Sequence, residues 1–194
     1  MRTIRTFAAA VGGAALLTFA QLWAAPVPVE VNGAFAGASE GGSACPRWLL
    51  RVPPNGGGKV EFVKGEKALA MKVTTGKKKI SCISKEQIKA KIGDRILVDL
   101  KASGKGSFRI NAYMYEANNG KYLSTLAGKK LAAPEKSSPF SQPLNVAAKS
   151  EVGHLTVVIV VLPGSEVTLE DVKVQYEAKD GAAGEKTAEN KEKK

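Results

Sequence analysis

The sequence predicts an all-β protein, folded as one antiparallel β-sandwich. Two segments, 95–102 and 107–116, alternate apolar and polar residues with the period of two expected of a half-buried strand. Further strand-like runs recur about every 8 to 14 residues, separated by turn residues, as in a sandwich. No segment keeps an apolar period of 3.6 residues long enough to predict a long helix.

The N-terminus has the order of a secretory signal peptide. Arg2 and Arg5 give a positive start, residues 7–20 are apolar, and Ala24 and Ala25 offer a cleavage point. The apolar run is too short to span a bilayer, which needs about 20 residues. The alternative is an N-terminal anchor that is not cleaved.

Three regions are therefore predicted along the chain. Residues 1–24 are the signal peptide, residues 26–178 form the sandwich domain, and residues 179–194 form a charged tail. The tail has no large apolar residue and is predicted to be disordered. Export predicts a secreted, periplasmic or cell-surface protein with no transmembrane segment in the mature chain.

The strand-like runs follow one another through the domain. They read RWLLRV, KVEFV, ALAMKV, KISCIS, RILVDLKA, SFRINAYMYE, KYLSTL, FSQPLNV, HLTVVIVVL and EVTLEDVKVQY. The segment 84–93 is compatible with one or two turns of helix, and ANNGK at 117–121 indicates a hairpin turn. Residues 155–162 are all apolar except Thr156, which is typical of a central buried strand.

The two cysteines, Cys45 and Cys82, are predicted to form a disulfide. An even number of cysteines in an exported chain favours pairing. The alternative is two buried free thiols. Neither cysteine belongs to a Cys-x-x-Cys pair, so metal binding through them is not predicted.

The formal net charge of +11 indicates an affinity for anionic partners. Six lysines lie close together, and they are Lys77, Lys78, Lys79, Lys85, Lys89 and Lys91. Export excludes nucleic acid as the expected partner and favours acidic polysaccharides or anionic envelope polymers. The alternative is a charged surface that serves only solubility.

A set of motifs along the domain resembles one known family. The chain has an early Asn-Gly-x-Phe, then Pro-x-Trp, G-x-x-A-L-x-x-x-V, G-D-x-x-x-V and a late E-D-V. The matching residues are Asn32, Gly33, Phe35, Pro46, Trp48, Gly65, Ala68, Leu69, Val73, Gly93, Asp94, Val98, Glu170, Asp171 and Val172. In these motifs the chain resembles the carbohydrate-binding modules of the family 4/9 type, also called galactose-binding-like domains. The resemblance implies a jelly-roll sandwich.

The resemblance also implies roles for several residues. A structural calcium often lies between the first and last strands in that family, which points to Asp171 with Glu30 as a partner. The alternative is a pair of solvent-facing charges. Trp48 is expected to pack at the edge of the sandwich, and its alternative role is to stack on a sugar.

A candidate carbohydrate site lies on the outward side of the strand 107–116. Its residues are Arg109, Asn111, Tyr113 and Tyr115, with Asp99 expected on the same face of a neighbouring strand. Arg, Asn and Asp bond to hydroxyl groups, and Tyr offers a flat apolar surface. A solvated sheet face is the alternative.

No pattern typical of an enzyme is found in the sequence. His154 begins the most apolar strand, where a structural role is expected, and there is no Gly-x-Ser-x-Gly motif. Glu170 and Asp171 are adjacent, so on a strand they point to opposite faces. We therefore expect a secreted, noncatalytic carbohydrate-binding protein. The alternatives are a scaffold of the cell envelope and a binder of acidic polymers.

Overall fold

The computed structural model describes residues 24–179, which form twelve strands. They are β1 (Val27–Val29), β2 (Trp48–Arg51), β3 (Lys59–Lys64), β4 (Leu69–Thr74), β5 (Ile80–Ser84), β6 (Ile88–Lys89), β7 (Arg95–Lys105), β8 (Ser107–Glu116), β9 (Tyr122–Ala132), β10 (Ser138–Asn145), β11 (Val152–Val161) and β12 (Glu166–Glu177). The predicted signal peptide, apart from Ala24, and the predicted tail, apart from Lys179, lie outside the described residues. Within 24–179 no helix is long and apolar enough to cross a membrane.

The strands form two antiparallel sheets that face each other as a jelly-roll sandwich, which confirms the predicted fold class. Sheet A has the order β10-β7-β12-β4-β3, with β1 also paired to β12. Sheet B has the order β2-β5-β11-β8-β9, with β6 also paired to β11. The central strand of sheet B, β11, is the apolar run that the sequence predicts to be buried.

The core lies between the two sheets and is built by the alternation seen in the sequence. On β7 and β8 the inward residues are almost fully buried. They are Ile96, Val98, Leu100, Ala102, Phe108, Ile110, Ala112 and Met114. Burying side chains of this size stabilises the fold by about 1.5–3 kcal/mol each for the larger ones.

The chain changes sheets between β7 and β8, at a corner made by two glycines. Gly104 has φ 122° and Gly106 has φ 92°, values that L side chains rarely adopt. A Cβ atom on Gly104 would lie 2.1 Å from the carbonyl oxygen of Glu166. Two consecutive strands that the sequence suggests as neighbours therefore belong to different sheets.

The segment 84–93 does not form the helical turns that its sequence allows. It contains the two-residue strand β6, in which Ile88 pairs with Leu155 of β11 and is 4 % exposed. Ala90 is also buried. Burial of these apolar side chains against the core outweighs a weak local preference for helix.

The N-terminal loop is held by the residues of the Asn-Gly-x-Phe motif. The Asn32 side chain accepts a hydrogen bond from the Ala36 amide (2.8 Å) and donates to the Ala36 carbonyl (3.0 Å). The Trp48 indole donates to the Asn32 carbonyl (3.1 Å), packs against Phe35 and is only 3 % exposed. Trp48 is thus a packing residue, as expected, and its ring is not available as a stacking surface.

The predicted disulfide between Cys45 and Cys82 is wrong, because both residues are buried free thiols. Cys82 on β5 lies opposite Leu50 of β2, whereas Cys45 precedes β2 and bridges to Trp48. The side-chain amide of Asn32 donates to the Cys45 sulfur at 3.5 Å. Burial raises the pKa of the Cys82 thiol to about 12, so it stays protonated and unreactive.

Candidate binding face

The candidate site is the outward surface of sheet B, called here the outer face. The predicted residues Arg109, Asn111, Tyr113 and Tyr115 do share this surface, since they alternate with fully buried residues along β8. Cross-strand pairing arranges the whole face in rows that run across β2, β5, β11, β8 and β9. Successive rows are two residues apart along each strand, or about 6.6 Å.

The row at one end of the face is basic. It runs through Arg51, Ser81, Val160, Arg109 and Lys130, each a Cα partner of the next. Its three cations lie on the first, fourth and fifth strands of the sheet. This end can attract an anionic group.

The next row is apolar. It runs through Leu49, Ile83, Val158, Asn111 and Ala127. Although they face outward, the Ile83 and Val158 side chains are 6 % and 0 % exposed, because Tyr113 and Leu162 pack over them. Tyr113 and Leu162, together with the exposed Leu49, therefore form the apolar surface in the middle of the face, called here the apolar floor, on which an uncharged ligand surface could lie.

Asn111 is less available to a ligand than the sequence suggests. Its amide oxygen accepts a hydrogen bond from the Gly128 amide at 3.0 Å, and the residue is 8 % exposed. Gly128 lies in an irregularity of the β8–β9 pairing, where β9 has one extra residue opposite β8. The structure thus assigns Asn111 a role in fixing this bulge.

The other end of the face is aromatic. The His154 and Tyr115 rings are stacked, with centroids 4.7 Å apart and planes inclined by 10°. Tyr122 meets Tyr113 and Tyr115 edge to face, at 5.7 and 6.1 Å, and is 56 % exposed. These four rings, called here the aromatic cluster, offer exposed π surface beside hydroxyl groups.

Two members of the aromatic cluster are absent from the sequence-based site. Tyr122 follows the predicted hairpin turn at 117–121, so its position opposite Tyr115 was within reach of sequence analysis. His154 lies beside Tyr115 only because β11 pairs with β8, which sequence does not reveal. Burial lowers the pKa of His154 and favours its neutral form.

Asp99 does not belong to the outer face, so that part of the predicted site is wrong. It lies on β7 in sheet A, where its partners are Lys173 and Ser141. The reason is the corner at Gly104 and Gly106, which sends β7 and β8 into different sheets. Period-two alternation predicts which side of a strand a residue occupies, but not which sheet.

The two predicted calcium ligands are already engaged by other groups. A Glu30 carboxylate oxygen accepts a hydrogen bond from the backbone N–H of Asn32 at 3.0 Å. Asp171 pairs with the Lys173 ammonium group at 3.0 Å. Within residues 24–179 no group of three or more His, Cys, Asp or Glu side chains could hold a metal ion. Because calcium takes six to eight oxygens, this pair alone does not fit it, and the calcium site stays a prediction.

The lysine-rich stretch is divided between the two ends of sheet B. Lys77, Lys78 and Lys79 lie on the loop before β5, at the basic end of the outer face. Lys89 lies opposite His154 in the pairing of β6 with β11, at the aromatic end of the face. The Lys85 ammonium group donates to the Pro46 carbonyl at 2.7 Å. The stretch is therefore not one patch.

An open groove joins the lysine loop to the predicted sugar-binding strand. Its lining residues are Arg51, Pro53, Lys77, Lys78, Lys79, Ser81, Tyr113 and Pro163. Tyr113 belongs both to this groove and to the aromatic cluster. The two predicted binding surfaces thus meet at Tyr113.

Comparison with solved structures shows what this fold resembles. A Stig cyclase, Fisc from Fischerella sp. TAU, superposes with a TM-score of 0.57 at 10% identity, over 80% of this chain and 100% of that chain. The CBM22-1 xylan-binding domain of Paenibacillus barcinonensis Xyn10C superposes with a TM-score of 0.53 at 10% identity, over 79% and 96%. No family model matches the sequence, and no curated protein matches it. The chain has the β-sandwich fold of such modules, whereas the 4/9 type stays a prediction.

The prediction that the protein is not an enzyme is wrong. It rested on missing hydrolase motifs and on a structural role for His154, but the same fold is found in the Fischerella cyclases. Motifs of unrelated hydrolases do not test for the chemistry that this fold supports. The sequence similarity is low, and it is the fold alone that the chain shares with both groups of proteins.

Proposed function

We propose that the protein binds carbohydrate on the outer face of sheet B. The observation that carries this proposal is the aromatic cluster, in which Tyr122 is 56 % exposed and is held by edge-to-face contacts with Tyr113 and Tyr115. A pyranose ring presents a face of C–H groups that packs on such a surface. A ring held by its neighbours loses little conformational freedom on binding.

Hydrogen-bonding groups surround this aromatic surface. The Tyr122 hydroxyl lies 2.7 Å from the Thr125 hydroxyl, which orients both toward the same side of β9. Lys89, which is exposed, lies opposite His154 on the neighbouring strand β6, at the edge of the cluster. Apolar surface with a few polar groups at its margin is the usual composition of a ligand site.

Structural comparison supports the same proposal. A xylan-binding domain is among the proteins that share this fold, with a TM-score of 0.53. The chemistry of the outer face, rather than this likeness, is the reason to propose a glycan. We further propose that binding takes place outside the cytoplasm, because of the signal peptide predicted from the sequence.

The proposal is tested by calorimetric titration of the purified full chain with xylan, glucan, galactan and mannan oligosaccharides. Substitution Tyr122→Ala is expected to weaken binding about tenfold or more, because the stacking surface is lost. The matched control is Val27→Ala on β1 of sheet A, a residue that is also 56 % exposed. Equal affinity of Tyr122→Ala and the unmodified chain would overturn the proposed site, and no affinity for any glycan would favour a scaffold role.

A further inference from the structure

Charge is distributed unequally between the two sheets. The strands of sheet B carry five basic residues and one acidic residue. They are Arg51, Lys89, Arg109, Lys129 and Lys130, with Glu116 as the acid. The strands of sheet A carry seven basic and six acidic residues. They are Lys59, Lys64, Lys72, Arg95, Lys101, Lys105 and Lys173, with Glu61, Asp99, Glu166, Glu170, Asp171 and Glu177.

The cations at the basic end of the outer face have no carboxylate partner. Ion pairs among residues 24–179 involve Arg47, Lys59, Lys72, Arg95, Lys101 and Lys173, and none involves Arg51, Arg109 or the three lysines 77–79. Glu116 is the last residue of β8, at the opposite end from Arg109. Glu166, which begins β12 beside this loop region, is already paired with Lys72 at 2.9 Å. Among residues 24–179, therefore, no carboxylate forms an ion pair with these cations.

The lysine loop is fixed in place by neighbouring loops. The Lys77 amide donates to the Gly56 carbonyl at 2.9 Å, and the Gly164 amide donates to the Gly76 carbonyl at 2.9 Å. The Thr75 hydroxyl donates to the Leu162 carbonyl at 2.6 Å. Three loops are thus tied together behind the lysines. The backbone that carries the charges is ordered before any ligand arrives, which lowers the entropic cost of binding.

The ends of the outer face differ in chemistry and lie far apart. Arg109 and Tyr115 are six residues apart on β8, so the basic row and the Tyr115 end of the aromatic cluster are separated by about 20 Å. Between them lies the apolar floor, which consists of the exposed Leu49 and of Tyr113 and Leu162 above the buried Ile83 and Val158. A polymer with a charge on every unit would set anionic groups against this apolar floor, at a desolvation cost.

We infer that the groove at the basic end takes the anionic substituent, a carboxylate or sulfate, of a glycan whose uncharged units lie on the apolar floor and the aromatic cluster. This inference rests on the proposed function. Tyr113 joins the two parts, because its ring lines the groove and contacts Tyr122. Pro53 and Pro163 line the same groove, in which Lys77, Lys78 and Lys79 are exposed, so their attraction to the substituent weakens as salt increases.

The experiment compares charged and uncharged forms of the same glycan. Neutral xylo-, gluco- and galacto-hexasaccharides are titrated into the full chain beside the same backbones carrying one uronate or one sulfate group. The triple variant Lys77→Gln, Lys78→Gln, Lys79→Gln is expected to bind the charged forms about tenfold more weakly and the neutral forms unchanged. The control, Lys64→Gln, Lys67→Gln, Lys173→Gln, removes equal charge from exposed positions outside the groove and should leave both affinities unchanged.

The outcomes separate this inference from the proposed function. Tighter binding of a charged form, lost in the triple variant and weakened at high salt, supports the inference, and the preferred form identifies carboxylate or sulfate. Equal binding of charged and neutral forms overturns it and leaves carbohydrate binding in place. No binding of any glycan overturns both. Equally tight binding of polythymidylate, lost in the same triple variant, overturns the glycan assignment in favour of a nucleic acid.

Discussion

The imidazole of His154 lies flat against the phenol of Tyr115, with ring centroids 4.7 Å apart. The pair joins the central strand of sheet B to the strand that carries the predicted sugar site. Stacking covers one side of each ring and leaves the neutral imidazole favoured, since burial lowers the pKa of His154. The stacked pair therefore contains one ring, that of His154, whose charge changes with pH.

Stability is expected to depend on pH through His154. Its pKa is lower in the folded chain than the ordinary value of 6.5, so the unfolded chain takes up the proton first as pH falls. The contribution of His154 is complete above its unfolded pKa and is lost as pH falls through the folded pKa. Chemical denaturation of the unmodified chain and of His154→Phe, from pH values above 6.5 down through the folded pKa, measures this contribution to the free energy of unfolding. A parallel pH dependence in both proteins would contradict the prediction.

Asn32 is expected to be important for stability. It has a left-handed backbone conformation, and its side chain forms hydrogen bonds with the backbone of a nearby residue. It has φ 52°, and its side chain bonds both polar atoms of the Ala36 backbone. Asn55 also has a positive φ, of 58°, but is exposed. We expect Asn32→Ala to lower the free energy of unfolding by about 1–3 kcal/mol more than Asn55→Ala. Urea denaturation measures both, and equal losses would show that the bonds to Ala36 contribute nothing.

The corner between the sheets is expected to tolerate only glycine. In Gly104→Ala the new Cβ would meet the Glu166 carbonyl oxygen, 2.1 Å away, in addition to the strain of φ 122°. Gly120 also has a positive φ, of 65°, with nothing within 4 Å of an added Cβ. Thermal unfolding of Gly120→Ala should reveal a loss of about 1 kcal/mol, and Gly104→Ala should lose several times more. Similar losses in both would mean that the corner can move aside.

Both cysteines are expected to react as thiols only after unfolding. Alkylation of the native chain without reductant should modify neither Cys45 nor Cys82, because both are buried. The same reagent in denaturant, still without reductant, should modify both, and intact-mass measurement distinguishes the two results. Recovery of an unmodified chain from denaturant would instead show that the two cysteines are joined by a disulfide.

The sequence predicts the parts of this fold that depend on local pattern. Alternation along 95–102 and 107–116 identifies the inward residues of β7 and β8, and ANNGK identifies the turn before β9. The same pattern places Asp99 wrongly, because the change of sheet at Gly104 depends on contact with Glu166, sixty-two residues later in the chain. His154 joins the aromatic cluster through a strand pairing of similarly long range. Contacts of this range leave no periodic signal in the sequence.

With both of its cysteines unpaired, the domain is held together without a covalent cross-link. Its folding does not have to wait for an oxidant or an isomerase, and a thiol reductant removes nothing from its stability. The chain can therefore reach the same structure inside a reducing cytoplasm as outside the cell. Expression in a reducing cytoplasm is accordingly expected to yield a folded domain.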